Sequence, residues 1–157
     1  MDALTFRLST LNTWTFWLGM WKDLPSVAFW GIKVKDLNDT SCVVVVPFNY
    51  RSKNPFRSIY FGALSGAAEL ATGLLCKKLI LERGNFSMLV TGFRAEFTKK
   101  ATSATFFSCD QGKELAHILD NMTNAGDAAV YEMKATGKNA DGADIMTAYI
   151  QWSFKRK

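Results

Sequence analysis

The sequence has very little of the chemistry that most enzyme families are built on. It contains one histidine, His117, and three cysteines, Cys42, Cys76 and Cys109, with no Cys-x-x-Cys spacing. A Ser-His-Asp triad needs a histidine placed beside a nucleophile, and zinc needs several His or Cys ligands. Both classes are set aside, and no resident metal is expected. His117 lies among Leu115, Ala116, Ile118 and Leu119 and reads as a structural or surface side chain. No dinucleotide Gly-x-Gly-x-x-Gly and no Walker loop occurs, and Gly62-Ala63-Leu64-Ser65-Gly66 lacks the Gly-x-Ser-x-Gly spacing of a nucleophile elbow. The net charge of +5 is spread over Lys77-Lys78, Lys99-Lys100 and the tail Lys155-Arg156-Lys157. A nucleic-acid partner would require a basic stripe interleaved with aromatics, so none is expected, while a small anionic ligand stays open. The cysteines sit in apolar surroundings and read as reduced, buried thiols, which points to a cytoplasmic location. Asp2 stands where a signal peptide carries basic residues, and Ser9, Thr10, Asn12 and Thr13 interrupt the apolar run, so no secretory leader is expected.

What is present suits one domain over residues 1–157, with a helical segment over 1–25 and a core over 26–157. The hydrophobic fraction is 48%, and a chain of this size buries roughly 70% of its extended surface. Leu4, Leu8, Leu11, Trp14, Leu18 and Trp21 recur in steps of three and four, which predicts one N-terminal helix closed by Pro25. Its apolar face is expected to pack on a sheet or a partner subunit, in preference to an acyl chain or a membrane surface. Residues 27–36 and the run Cys42 to Val46 read as a hairpin turned by Asn38-Asp39. Residues 58–75 form an apolar stretch whose only ionisable side chains are Tyr60 and Glu69. A helix apolar all round is buried all round. A membrane span of that length would carry Glu69 near its middle at a cost of roughly 2.5 kcal/mol or more, so stable membrane insertion is not expected. Met88 to Lys99, Thr102 to Cys109, Val130 to Gly137 and Met146 to Phe154 read as strands, the second as a β-rich run and the others by alternation. Between the second and third of these, Asp110 caps a short helix that ends by Gly126. Strands joined by short turns around one long helix predict an α+β fold with a curved antiparallel sheet of about six strands.

Glu69 is the one residue whose setting suggests chemistry. No cation lies within a helical turn of it, so burial would disfavour its charged form and raise its pKa, which poises a carboxyl for acid–base work near neutrality. The other reading is a carboxylate satisfied by Ser65, Thr72 or a strand amide.

The segment from Asn49 to Leu75 resembles the strand-to-helix region of the hotdog-fold thioesterases. That family has a loop Asn, then His-Gly-Gly opening the central helix, then Asp or Glu nine residues after the His. With the acid on Glu69, Tyr60 stands at the His position, Phe61 at the first Gly and Gly62 at the second, and Asn54 matches the loop Asn. The opening Ile59-Tyr60-Phe61-Gly62-Ala63-Leu64 is most similar to a thioesterase-like branch of unassigned function. The resemblance implies a hotdog fold and hydrolysis of an acyl-CoA or acyl-carrier thioester. Glu69 would be base or nucleophile, and the backbone N–H at Phe61, beside Gly62, the oxyanion donor. It implies a homodimer or tetramer, with acid and oxyanion donor facing each other across the interface. Asn54, Tyr60 and Ser65 would lie around the substrate. Arg57, Lys99 and Lys100 would meet coenzyme A phosphates, with a solvated surface as their alternative. Coenzyme A would enter as part of the substrate, with no separate cofactor. The other functional class is a non-catalytic binder of acyl-CoA or lipid that keeps the fold.

Overall fold

The computed structural model describes residues 1–157. Its N-terminal layer is helical but is not the single helix that the apolar periodicity predicts. Helix α1, Ala3–Leu11, stops at Asn12, whose side chain accepts hydrogen bonds from the N–H groups of Trp14 and Thr15 and so starts α2, Thr13–Asp23. Pro25 opens a third helix, α3, Pro25–Trp30, where its missing N–H is harmless. Residues 27–30 are therefore helical, and the first strand begins only after Gly31, a left-handed turn with φ 73°. Most of the Leu4-to-Trp21 face also does not pack on the sheet, one of its two expected covers. The break at Asn12 puts the two halves of that face on separate helices. Thr10 and Phe16 are the buried residues of α1 and α2, and Leu4, Leu8, Trp14, Leu18 and Trp21 stay exposed.

The remainder matches the α+β expectation. Strands β1 (Lys33–Leu37), β2 (Cys42–Val46), β3 (Phe86–Phe97), β4 (Thr105–Cys109), β5 (Ala128–Asn139) and β6 (Asp144–Arg156) form one six-stranded sheet in the order β1-β2-β4-β5-β6-β3. Every pairing is antiparallel. The sheet packs against α4, Phe61–Arg83, the long helix expected at its centre. This is the hotdog arrangement. In the β1–β2 turn, Asn38 Oδ1 accepts from the N–H groups of Thr40 and Ser41, an Asx turn of the kind its sequence signals. The short helix α5, Gly112–Asp120, starts after Gln111 without a side-chain cap and ends at Asn121, earlier than Gly126. Its first residue is fixed by close approach, since a Cβ on Gly112 would overlap the backbone of Asp39 and Thr40.

Alternation along the strands decides what faces α4. Met146, Ala148, Ile150, Trp152 and Phe154 of β6 are buried, as are Val44, Val46, Phe107, Met133 and Ala135 on neighbouring strands. Cys42, Cys76 and Cys109 are free and buried in the same core. Burial raises all three thiols, that of Cys109 to about 11, which leaves them unreactive. One polar contact pins α4 to β6: Trp152 Nε1 donates to Thr72 Oγ1 at 3.0 Å, with both side chains buried. Thr72→Val keeps the shape but orphans the indole N–H. We expect a loss of about 1–3 kcal/mol of stability, read as a fall in the urea midpoint with unchanged slope.

Candidate active site

Helix α4 begins without a side-chain cap on Tyr60. The Tyr60 carbonyl accepts from the N–H groups of Ala63 (3.0 Å) and Leu64 (3.2 Å), and the N–H groups of Phe61 and Gly62 have no acceptor. Two free donors at the positive end of a helix of 23 residues favour negative charge developing in front of them. The Tyr60 ring folds back over Gly62, where any side chain would collide with it, and packs edge-on against Phe61 with ring centroids 4.9 Å apart. A side chain at 62 would therefore require the exposed Tyr60 ring to swing away.

In front of this helix start lies a groove of about 470 Å³ lined by Asn54, Phe56, Ser58, Ile59, Phe61, Leu64, Phe97, Thr98, Lys99, Lys100 and Ala101. The fold thus brings together four of the sequence-derived candidates: Asn54, Phe61, Lys99 and Lys100. Asn54 builds the loop. Its Oδ1 accepts from the N–H of Phe56 (3.0 Å) and from the N–H and hydroxyl of Ser58 (each 3.2 Å), and its Nδ2 donates to the Ile59 carbonyl (3.4 Å). Its amide oxygen is engaged by the loop, so its contribution to the groove is chiefly to hold the wall. Arg57, at φ 60°, is exposed on the same loop and does not line the groove. Phe56, Phe97 and Thr98 join the lining without having been singled out. The signal available for Phe97 was its alternation with Phe93 and Ala95 at the end of a strand running into Lys99-Lys100.

Glu69 lies elsewhere on α4. Gly62, Ser65, Gly66, Glu69 and Gly73 are only partly buried, whereas most of the helix is fully covered. They form a stripe in steps of three and four on one side of α4. The Glu69 carboxyl leans towards Gly73, where a Cβ would come within 3.3 Å of both its Oε1 and the Trp152 ring. The side chain has no salt bridge and no hydrogen-bond partner. Burial alone pushes its pKa above the ordinary value of 4.5. The reading in which Ser65, Thr72 or a strand amide satisfies the carboxylate is not observed. Thr72 Oγ1 donates instead to the Glu69 backbone carbonyl at 2.9 Å.

The free N–H groups and the carboxyl do not meet within one chain. Eight helical steps from Phe61 to Glu69 span about 12 Å, and the lean towards Gly73 increases the separation.

The family described as "Domain of unknown function (DUF4442)" matches residues 12–154. The chain belongs to this family. Among solved structures, a Pseudomonas aeruginosa protein of unknown function, described as a probable thioesterase, superposes with a TM-score of 0.80 at 18% identity, covering 96% of this chain and 95% of that one. A protein of unknown function from Chlorobaculum tepidum gives 0.74 at 16% identity, covering 94% and 99%. A thioesterase from Haemophilus influenzae gives 0.68 at 13%, covering 88% of each chain. At these identities the likeness is one of fold, and it makes this DUF4442 chain a hotdog domain. No curated protein matches the sequence. No group of three or more His, Cys, Asp or Glu side chains is placed to hold a metal ion, and no helix is long and apolar enough to cross a membrane.

The raised pKa of Glu69 carries a stability consequence. The folded chain holds this proton to higher pH than the unfolded chain, so stability is full below the unfolded value near 4.5 and falls as pH rises through the folded one. Glu69→Gln removes that loss. Its melting temperature is expected to equal or exceed that of the parent at pH 7, with the difference closing as pH is lowered towards 4.5. Thermal denaturation of both proteins across pH checks it.

Proposed function

We propose that the protein is an acyl-thioester hydrolase acting on acyl-CoA or an acyl-carrier thioester, working as a homodimer in which each site is shared between two copies. The observation that carries this reading is the separation within one chain of two incomplete half-sites, free helix-start N–H groups beside a groove and an unpartnered, partly buried carboxyl about 12 Å away. A twofold-related copy can bring Glu69 of one protomer to Phe61 of the other.

An unused surface for that copy lies where it is needed. Strand β3 is an edge of the sheet, twelve residues long. Its Val90, Phe93 and Phe97 pair in register with Trp152, Ile150 and Met146, so they share the inner face with those buried side chains yet remain exposed. Exposed apolar residues on a long unpaired edge favour a second strand. Pairing there would also cover the partly open stripe of α4 that holds Glu69.

In the proposed reaction the thioester carbonyl sits before Phe61. Water attacks the carbonyl carbon while Glu69 takes its proton, and the oxyanion gains the N–H groups of Phe61 and Gly62 and the positive end of α4. As the C–S bond breaks, the sulfur leaves with the proton from Glu69, giving a carboxylic acid and a thiol. Direct attack by Glu69, followed by hydrolysis of the mixed anhydride, gives the same products. Phe56, Phe61 and Phe97 offer the groove apolar walls, and Lys99 and Lys100 at its rim suit coenzyme A phosphates. No separate cofactor enters. A second reading, a non-catalytic acyl-CoA or lipid binder, is favoured by one feature: Tyr60, whose ring packs over Gly62, stands where the family pattern has its histidine.

Two measurements test the reading. Light scattering at micromolar concentration is expected to give the dimer mass, and Phe93→Glu to shift it towards monomer. A strict monomer in the parent would rule out the shared site. Across a series of acyl-CoA chain lengths with thiol detection, Glu69→Gln is expected to lower kcat/KM by roughly 100-fold or more, and parent activity to rise with pH through the Glu69 ionisation. Thermal stabilisation by acyl-CoA without any turnover in the parent would select the binder instead.

A further inference from the structure

Helix α2 is largely exposed. It packs chiefly on α1 and α3, and of its eleven residues, Thr-Trp-Thr-Phe-Trp-Leu-Gly-Met-Trp-Lys-Asp, only Phe16 is buried. Trp14, Trp17 and Trp21 form a row along its outer side, with successive rings edge-to-face at 6.5 and 5.9 Å. Trp14 is 75% exposed and Trp21 44%, and Leu18 beside them is 60% exposed. Three indoles in water are costly for a helix whose core contacts are only Phe16 and the partly buried Met20.

Immediately beside the row, Trp17 forms one wall of an open basin of about 480 Å³ on the outer face of the sheet. Its floor includes Val45 and Phe106, and its rim carries Lys33, Lys35 and Arg51. None of these three cations makes a salt bridge. Lys22 adds a fourth near the end of α2, and Asp23 is the only carboxylate on that helix. The basin is not the acyl groove, with which it shares no lining residue. Strand β1 and strand β3 are opposite edges of the sheet, so the dimer proposed above would leave this surface uncovered.

We propose that this surface docks the protein peripherally on an anionic lipid bilayer, the indoles and Leu18 entering the interfacial layer while Lys33, Lys35 and Arg51 meet headgroup phosphates. Tryptophan suits that layer because its ring is apolar and its N–H is wet, and unpaired cations beside apolar side chains complement an anionic leaflet. A protein partner would satisfy the apolar row equally well. The three cations of the basin, whose lining holds no carboxylate, favour a surface of diffuse negative charge. The protein would lie on the membrane, consistent with the absence of any spanning helix.

The full chain is mixed with vesicles of phosphatidylcholine alone and of an equimolar phosphatidylcholine–phosphatidylglycerol mixture, with co-sedimentation and tryptophan emission as readouts. Binding to the anionic vesicles is expected to be about tenfold tighter or more, with a blue shift, and to weaken strongly at about 0.5 M salt. Trp14→Ser with Trp21→Ser is expected to reduce it by about tenfold or more, and Lys33→Gln with Lys35→Gln to abolish most of the preference for anionic lipid. Both pairs are exposed, so melting temperature should not move. The proposal fails if the parent sediments with neither vesicle, or if the tryptophan pair binds like the parent. It also fails if that pair instead lowers the oligomeric mass of the lipid-free protein, which would assign the row to a second copy of the chain.

Discussion

The structure depends on the cover of one helix. Helix α4 is apolar around almost its whole circumference, and thirteen of its residues are buried, including Ala63, Ala67, Ala68 and Ala71, where the small side chains let neighbouring elements come close. Such a helix is stable in water only if something surrounds it. A six-stranded sheet curls around most of it, with α5 and the N-terminal layer adding cover. The sheet runs out at β3, whose inner face makes little contact with α4, and the helix stripe from Gly62 to Gly73 is left only partly covered. The position of Glu69 and the exposed apolar residues of β3 both follow from that incomplete wrapping.

The same geometry explains why the two proposed half-sites lie apart in a single chain. An α-helix puts its free N–H groups at its start and nowhere else, so the donors are tied to Phe61 and Gly62. A carboxyl two turns further along the same rigid element cannot reach them by any rotamer. The proposed dimer answers the chemical need and the uncovered surface with one contact.

Much of this was legible in the sequence. Composition located the first two thirds of α4, because the apolar run of residues 58–75 has no other place to go, and the charged last turns to Arg83 lay beyond that signal. Period-two alternation and β-rich runs located the strands, apart from the helical start of the segment expected as the first, and the Asn38-Asp39 turn followed from turn chemistry. The N-terminal layer was misread because steps of three and four identify a face without identifying what covers it. They also cannot distinguish Asn12 inside a helix from Asn12 as a cap between two, nor Pro25 as a stop from Pro25 as a first residue. At the site, Glu69 stood out as a lone carboxylate, and the resemblance pointed to Phe61 and Gly62. The loop-building bonds of Asn54, the ring of Tyr60 over Gly62 and the place of Phe56 and Phe97 in the groove depend on tertiary approach, which no local pattern encodes.

Helix α4 itself supplies a control for Glu69. Lys78, nine residues on, is also an ionisable side chain carried into the protein by this helix, with a side-chain exposure of 4%. It is held between Asp39 and Glu82, the latter one turn along at 2.5 Å. Burial acts to lower its pKa, and the two carboxylates outweigh it, so its charge is stabilised. The same helix thus pairs one buried charge fully and leaves the partly buried Glu69 carboxyl without a donor from the protein. A chain that needed Glu69 only for packing could carry glutamine or leucine there at no electrostatic cost. Retaining an unpartnered carboxyl between a glycine and a tryptophan ring makes sense where the carboxyl must remain free to accept a proton, the property that the proposed hydrolysis requires.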